Sequence, residues 1–195
     1  MSPLEISAAA FGAVSVYLSA NENIWSWPTA IINVGLYTIV FYESRLYADM
    51  GLQVVYLALS IYGWNNWLHG GEQRTVLHVS RATPRTLALL AVLVVAGSLA
   101  LGATLYTHTN AAIPFLDSAL VATSLAAQWL MTRKVLESWL LWLAVDVVYV
   151  PMFISRGLIA TAVLYAVFLV LAVLGYISWR RSYIQRRPTG QLVAA

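Results

Sequence analysis

The sequence predicts an all-α integral membrane protein with seven transmembrane helices in a 3+1+3 order, the two triplets being parallel internal repeats. Three observations carry that expectation. Of 195 residues, 61% are hydrophobic and 10% charged, and the mean hydropathy is +0.74. A soluble domain is about 45–50% apolar and about 25% charged. Apolar runs long enough to cross a bilayer, roughly 17–25 residues as helix, recur from end to end, which leaves a single membrane domain and no soluble one. Finally, residues match at a constant spacing of 112 without gaps: Trp27 with Trp139, Tyr37 with Tyr149, Phe41 with Phe153, Gly63 with Gly175 and Trp67 with Trp179. Ala48, Leu52 and Leu57 likewise meet Ala160, Leu164 and Leu169, and Glu5 meets Asp117.

The first span covers residues 4–20, with Glu5 at its outer end. Asn21, Glu22 and Asn23 break it before W-S-W-P, where Pro28 suits a first helical turn. The second span then reaches residue 42, and the hydrophilic break 43–45 separates it from a third over 47–67, with Gly70 and Gly71 at the exit. Residues 72–85 are polar and form the longest loop. The fourth span, 86–106, is nearly pure Leu, Ala, Val and Gly, as a lipid-facing spacer would be. A fifth over 112–131, a sixth ending near 154 and a seventh over 158–179 follow, before a short basic tail. The expected units are a bundle at 1–70, a linker at 71–111, a second bundle at 112–183 and a tail at 184–195. One intervening span gives both triplets the same orientation.

Orientation follows from the cations. With the N-terminus outside, the inner face receives nine Lys and Arg residues (Arg74, Arg81, Arg85, Arg133, Lys134, Arg180, Arg181, Arg186, Arg187), the outer face only Arg45 and Arg156. The net charge of +3 therefore marks inner loops, and nucleic acid is not an expected partner.

Residues 137–149 read E-S-W-L-L-W-L-A-V-D-V-V-Y, which puts Trp139, Trp142, Asp146 and Tyr149 on one helical face. An acid inside an apolar span is expensive to keep and points to function. Asp146 therefore reads either as a ligand contact or as a link between helices. Asp117, Ser124 and Gln128 share a face of the fifth span, and Asp117 is near enough to its outer end to be solvated. Gln128, Gln53 and Asn33 each suit ligand binding or helix association equally well. Trp25, Trp27, Trp64, Trp67 and Trp179 read as an interfacial belt, with Trp64 also a candidate ligand contact. His69, His78 and His108 lack partners at metal-ligand spacing, and with no cysteine and no catalytic motif neither a metal, a cofactor nor an enzyme is expected.

Four motifs are more specific than hydropathy: W-S-W-P from Trp25, F-Y-E-S-R-L-Y-A-D from Phe41, Y-G-W-N-N-W from Tyr62, and A-Q-W-L-M-T-R-K-V-L-E-S-W-L-L-W from Ala127. On these residues the chain resembles the Pnu family of bacterial vitamin transporters, over nearly its whole length. The resemblance implies a SWEET-like pair of three-helix bundles, facilitated diffusion, and retention of the substrate by phosphorylation inside the cell. It implies that the W-x-x-W pair, Trp139 and Trp142, stacks on the substrate's base near mid-membrane, while Gln128, Asp146 and Gln53 hold amide and sugar. Nicotinamide riboside is the favoured substrate, with thiamine, riboflavin or a membrane ligand sensor as alternatives. The remaining expectations are a multi-pass protein of the bacterial inner membrane, in contact with lipid, and a homo-oligomer such as a trimer.

Overall fold

The computed structural model describes residues 3–43, 47–109, 113–155, 157 and 159–186. Arg45 and Arg156, expected at the outer face, the junction 110–112 and the tail from Arg187 onward lie outside the described residues.

Seven α-helices are present among them: α1 Pro3–Ala20, α2 Ser26–Glu43, α3 Tyr47–His69, α4 Pro84–His108, α5 Pro114–Thr132, α6 Ser138–Ser155 and α7 Ile159–Gln185. Each expected span corresponds to a helix, with shifted ends. The fourth starts earlier because Thr83 caps it: its hydroxyl accepts the Thr86 amide at 3.2 Å, and Pro84 occupies the first turn. The seventh runs on past Trp179, so Arg180 and Arg181 are helical rather than part of a tail. Four of the helices, or long stretches of them, are apolar and long enough to cross a bilayer: α1, α4, α6 and Thr161–Gln185 of α7.

Packing follows chain order within each half and crosses once in each direction between halves. α2 packs on α1 and α3, and α6 on α5 and α7, while α1 meets α7 and α3 meets α5. α4 lies against α5 and is exposed along nearly all of its length.

Positions 112 apart make the same contacts. α1 and α5 end in the same way: the Asn23 amide reaches Leu18 O at 2.9 Å and Glu22 N reaches Ser19 O at 3.0 Å, while Val135 N reaches Leu130 O at 3.1 Å and Lys134 N reaches Met131 O at 3.0 Å. These are Schellman turns, whose left-handed position usually belongs to glycine. Here it is held by Glu22 at φ 56° and Lys134 at φ 54°.

The core gathers at this end of the bundle. Trp27, Trp67, Trp139 and Trp179 are all buried in one cluster with Ala20, Val79, Met131, Leu136 and Ala172. Trp27 meets Trp67 edge-on at 5.3 Å and Trp139 meets Trp179 edge-on at 5.4 Å. The Trp67 and Trp179 indoles donate to Met131 O and Ser19 O, each at 2.9 Å. Three of the five tryptophans read as a belt, Trp27, Trp67 and Trp179, are thus core residues, while Trp25 and Trp64 are exposed.

Glycine makes that cluster possible. A Cβ on Gly63 would fall 2.3 Å from the Trp27 ring, and one on Gly175 would fall 2.6 Å from the Trp139 ring. Neither ring can retreat within a packed cluster, so Gly63→Ala and Gly175→Ala should each destabilise by about 1–3 kcal/mol. Thermal melting in detergent checks this. Similar drops in Tm are expected for both, and an unchanged Tm for either would show that the rings can step aside.

Candidate functional site

α6 carries the predicted stripe from the tryptophan cluster into the middle of the bundle. Trp139 is in the first turn, packed on Gly175 and Trp179. Trp142 is half-buried beside the same cluster. Asp146 lies seven residues beyond Trp139, about 10 Å further along the helix at 1.5 Å per residue. Trp139 is 1% exposed, its ring taken up by protein contacts.

Asp146 is 3% exposed. Among the described residues no hydrogen bond or ion pair satisfies its carboxylate. That is the opposite of what burial of a charge ordinarily requires.

Around it the helices supply aromatic rings. Tyr149 stacks on Phe153 at 5.3 Å, and both contact Tyr165 of α7, at 4.9 and 5.0 Å. Tyr165 continues to Phe168 at 5.6 Å and lies within electrostatic reach of Asp146, Tyr56 and Tyr37. Tyr56 of α3 lies beside Ser124 of α5. In the first half Tyr37 stacks on Phe41 at 5.7 Å, matching Tyr149 on Phe153.

The other sequence candidates divide. Gln128 is half-buried one turn from Ser124, and Gln53 is half-buried one turn from Tyr56. Asn33 donates its amide to Ala8 O at 2.6 Å and so joins α2 to α1. Asp117 is in the first turn of α5, at the end remote from the tryptophan cluster, and Trp64 is exposed on α3. Tyr165, Phe168 and Tyr56 were not among the candidates. The signal was the spacing of 112, which pairs Tyr165 with Gln53 and Phe168 with Tyr56.

A group of aromatic rings beside a carboxylate that has no partner among the described residues suits a flat cation, through ring contact and charge together. No group of three His, Asp or Glu side chains converges among the described residues in a way that would hold a metal. Two open cavities lie elsewhere, about 420 Å³ at Asn65, His69 and Arg74, and about 360 Å³ on the apolar flank of α7 at Val163 and Val167. Neither reaches Asp146.

A family model described as nicotinamide mononucleotide transporter matches residues 2–181. The chain belongs to this family. It is 30% identical over 211 residues to the nicotinamide riboside transporter PnuC of Escherichia coli (strain K12), covering 95% of this chain and 88% of that one. The riboflavin/roseoflavin transporter RibM of Streptomyces davaonensis is 24% identical, covering 91% and 84%. A crystal structure of the vitamin B3 transporter PnuC superposes with a TM-score of 0.74 at 26% identity, over 93% of this chain and 82% of that one. Family membership and the apolar helices together make this a multi-pass membrane transporter.

Proposed function

We propose that the protein imports nicotinamide riboside by facilitated diffusion across the bacterial inner membrane, with the substrate retained by phosphorylation inside the cell. The observation that carries this reading is Asp146, a buried acid without a counter-charge among the described residues, beside the rings of Tyr149, Phe153 and Tyr165. The riboside's pyridinium ring is flat and positively charged, and so supplies what both elements lack. Trp142, Gln128 and Gln53 then serve its amide and sugar, with Tyr56 and Ser124 beside them. Trp139 closes the proposed substrate chamber around Asp146 at the tryptophan end, Asn33 ties α2 to α1, and Asp117 with Trp64 stand nearer the periphery.

The architecture belongs to the same proposal. Two parallel three-helix bundles flank α4 as a 3+1+3 arrangement, a reading supported by the matched contacts at a spacing of 112. The tryptophan end faces the cytoplasm, because Arg74, Arg81, Arg85, Arg133, Lys134, Arg180, Arg181 and Arg186 gather there. The N-terminus is then outside. Rocking of one bundle against the other exposes the chamber alternately. A homo-oligomer, such as a trimer, would place the exposed α4 against lipid or a neighbour.

Tryptophan fluorescence titration with nicotinamide riboside, thiamine and riboflavin tests the substrate, and uptake into proteoliposomes tests the transport. Micromolar binding of the riboside and its entry are expected, with riboflavin, which is neutral and larger, bound at least 10-fold more weakly. The mononucleotide adds negative charge beside Asp146, and its uptake should be at least 10-fold slower. Uptake of the mononucleotide as fast as the riboside would remove the charge argument.

A further inference from the structure

The loop between α3 and α4 does more than connect. From Val76 to Ala82 it runs as an extended strap over the turn between α5 and α6. The Leu77 amide donates to Trp67 O at 3.0 Å, the Ser80 amide to Lys134 O at 3.0 Å, and the Leu136 amide returns to Ser80 O at 2.9 Å. Ser80 and Val135 thereby form a parallel bridge. Glu137 closes the strap's far end, accepting from Arg81 Nε and from the Ala82 amide, each at 2.9 Å. Val79 of the strap is itself buried in the tryptophan cluster.

Beneath the strap a charge pair joins the two halves. Lys134 Nζ lies 2.9 Å from Glu22 Oε2, with both side chains largely buried. The same ammonium donates to Leu77 O at 3.2 Å and sits 4.7 Å over the Trp67 ring. Glu22 and Lys134 are 112 apart, so they are the same position of each half, meeting across the boundary between bundles. Both hold left-handed backbone that glycine would adopt without strain. Their charges, and not their backbones, account for the residues chosen. Burial raises the Glu22 carboxyl, but hydrogen bonds from Ser182 and Lys134 and the charges of Lys134 and Arg186 outweigh it and hold it below the ordinary glutamate range.

From this geometry we infer that the segment 76–82, clipped by Glu137 and seated on the Glu22–Lys134 pair, is a lock that holds the tryptophan end shut and must lift before substrate can leave on that side. The inference rests on the transporter reading. It requires the strap to move relative to the α5–α6 turn in every transport cycle, whereas an ordinary structural loop would stay in place.

The chain contains no cysteine, so an introduced pair reports without background. Residues of a parallel bridge approach closely enough for a disulfide. Ser80→Cys with Val135→Cys, reconstituted in liposomes and oxidised to completion, should take up nicotinamide riboside at least 10-fold more slowly than after reduction with dithiothreitol. Equal rates in the two states would overturn the lock. A second measurement does not depend on transport: a maleimide reporter at Ser26→Cys, buried at the tryptophan end, should label at least 5-fold faster when Glu137→Gln is added. Unchanged labelling would also overturn the lock. Failure of the parent protein to transport, alongside faster labelling, would refute the transporter reading while showing that the strap still closes the tryptophan end.

Discussion

Asp146→Asn should weaken riboside binding by roughly 100-fold. A charge pair about 4 Å apart in an environment of effective dielectric near 20 is worth about 4 kcal/mol. Retaining a polar amide recovers part of that, and about 3 kcal/mol of loss corresponds to roughly two orders of magnitude. The substitution conserves shape, so it separates charge from packing. The dihydro form of the riboside, similar in outline but uncharged, gives the control. The parent protein should prefer the cationic form, and Asp146→Asn should bind the two alike. A variant that keeps parental affinity and discrimination would show that the carboxylate does not meet the ligand, and that the aromatic rings beside it are only packing.

Lys134→Met should be the most destabilising single substitution outside the helices. It leaves the Glu22 carboxylate largely buried without its counter-ion, a change that typically costs about 3–5 kcal/mol. Adding Glu22→Gln removes the orphaned charge, so the double variant should melt well above the single one. A double variant no more stable than Lys134→Met would mean that Lys134 acts through Trp67 and Leu77 instead. The acid response follows from the depressed Glu22 carboxyl. The pair's contribution is fully present above the ordinary glutamate value of 4.5 and is lost as pH falls through the lower folded value. Melting curves between pH 3 and 6 should therefore show an acid loss in the parent that is smaller in the double variant.

The resemblance of the two halves extends to residues that ordinary pattern reading would pass over. Gly63 and Gly175 could be matched by number alone, but their purpose is visible only under the Trp27 and Trp139 rings. Tyr165 sits in an apolar run where a lone tyrosine carries no periodic signal. Its partner by spacing is Gln53, so the repeat pointed to it while composition did not. Glu22 and Lys134 each belong to a short hydrophilic break, which reads as solvated. Nothing local to either loop indicates that the other lies 2.9 Å away.

By itself the sequence determined the helical membrane class, the seven helices, the spacing of the repeat and the isolation of Asp146 in an apolar stretch. Each of these depends on composition or on residues near one another in the chain. The tertiary structure alone decided which indoles are core and which face outward. Trp27, Trp67 and Trp179 occupy helix ends, a depth that suits an interfacial belt and a buried cluster equally. Only the rotation of each helix toward its neighbour distinguishes them. The same holds for the strap: its clip to Glu137 is a contact between residues 55 and 56 apart, formed because two turns happen to meet at one end of the bundle.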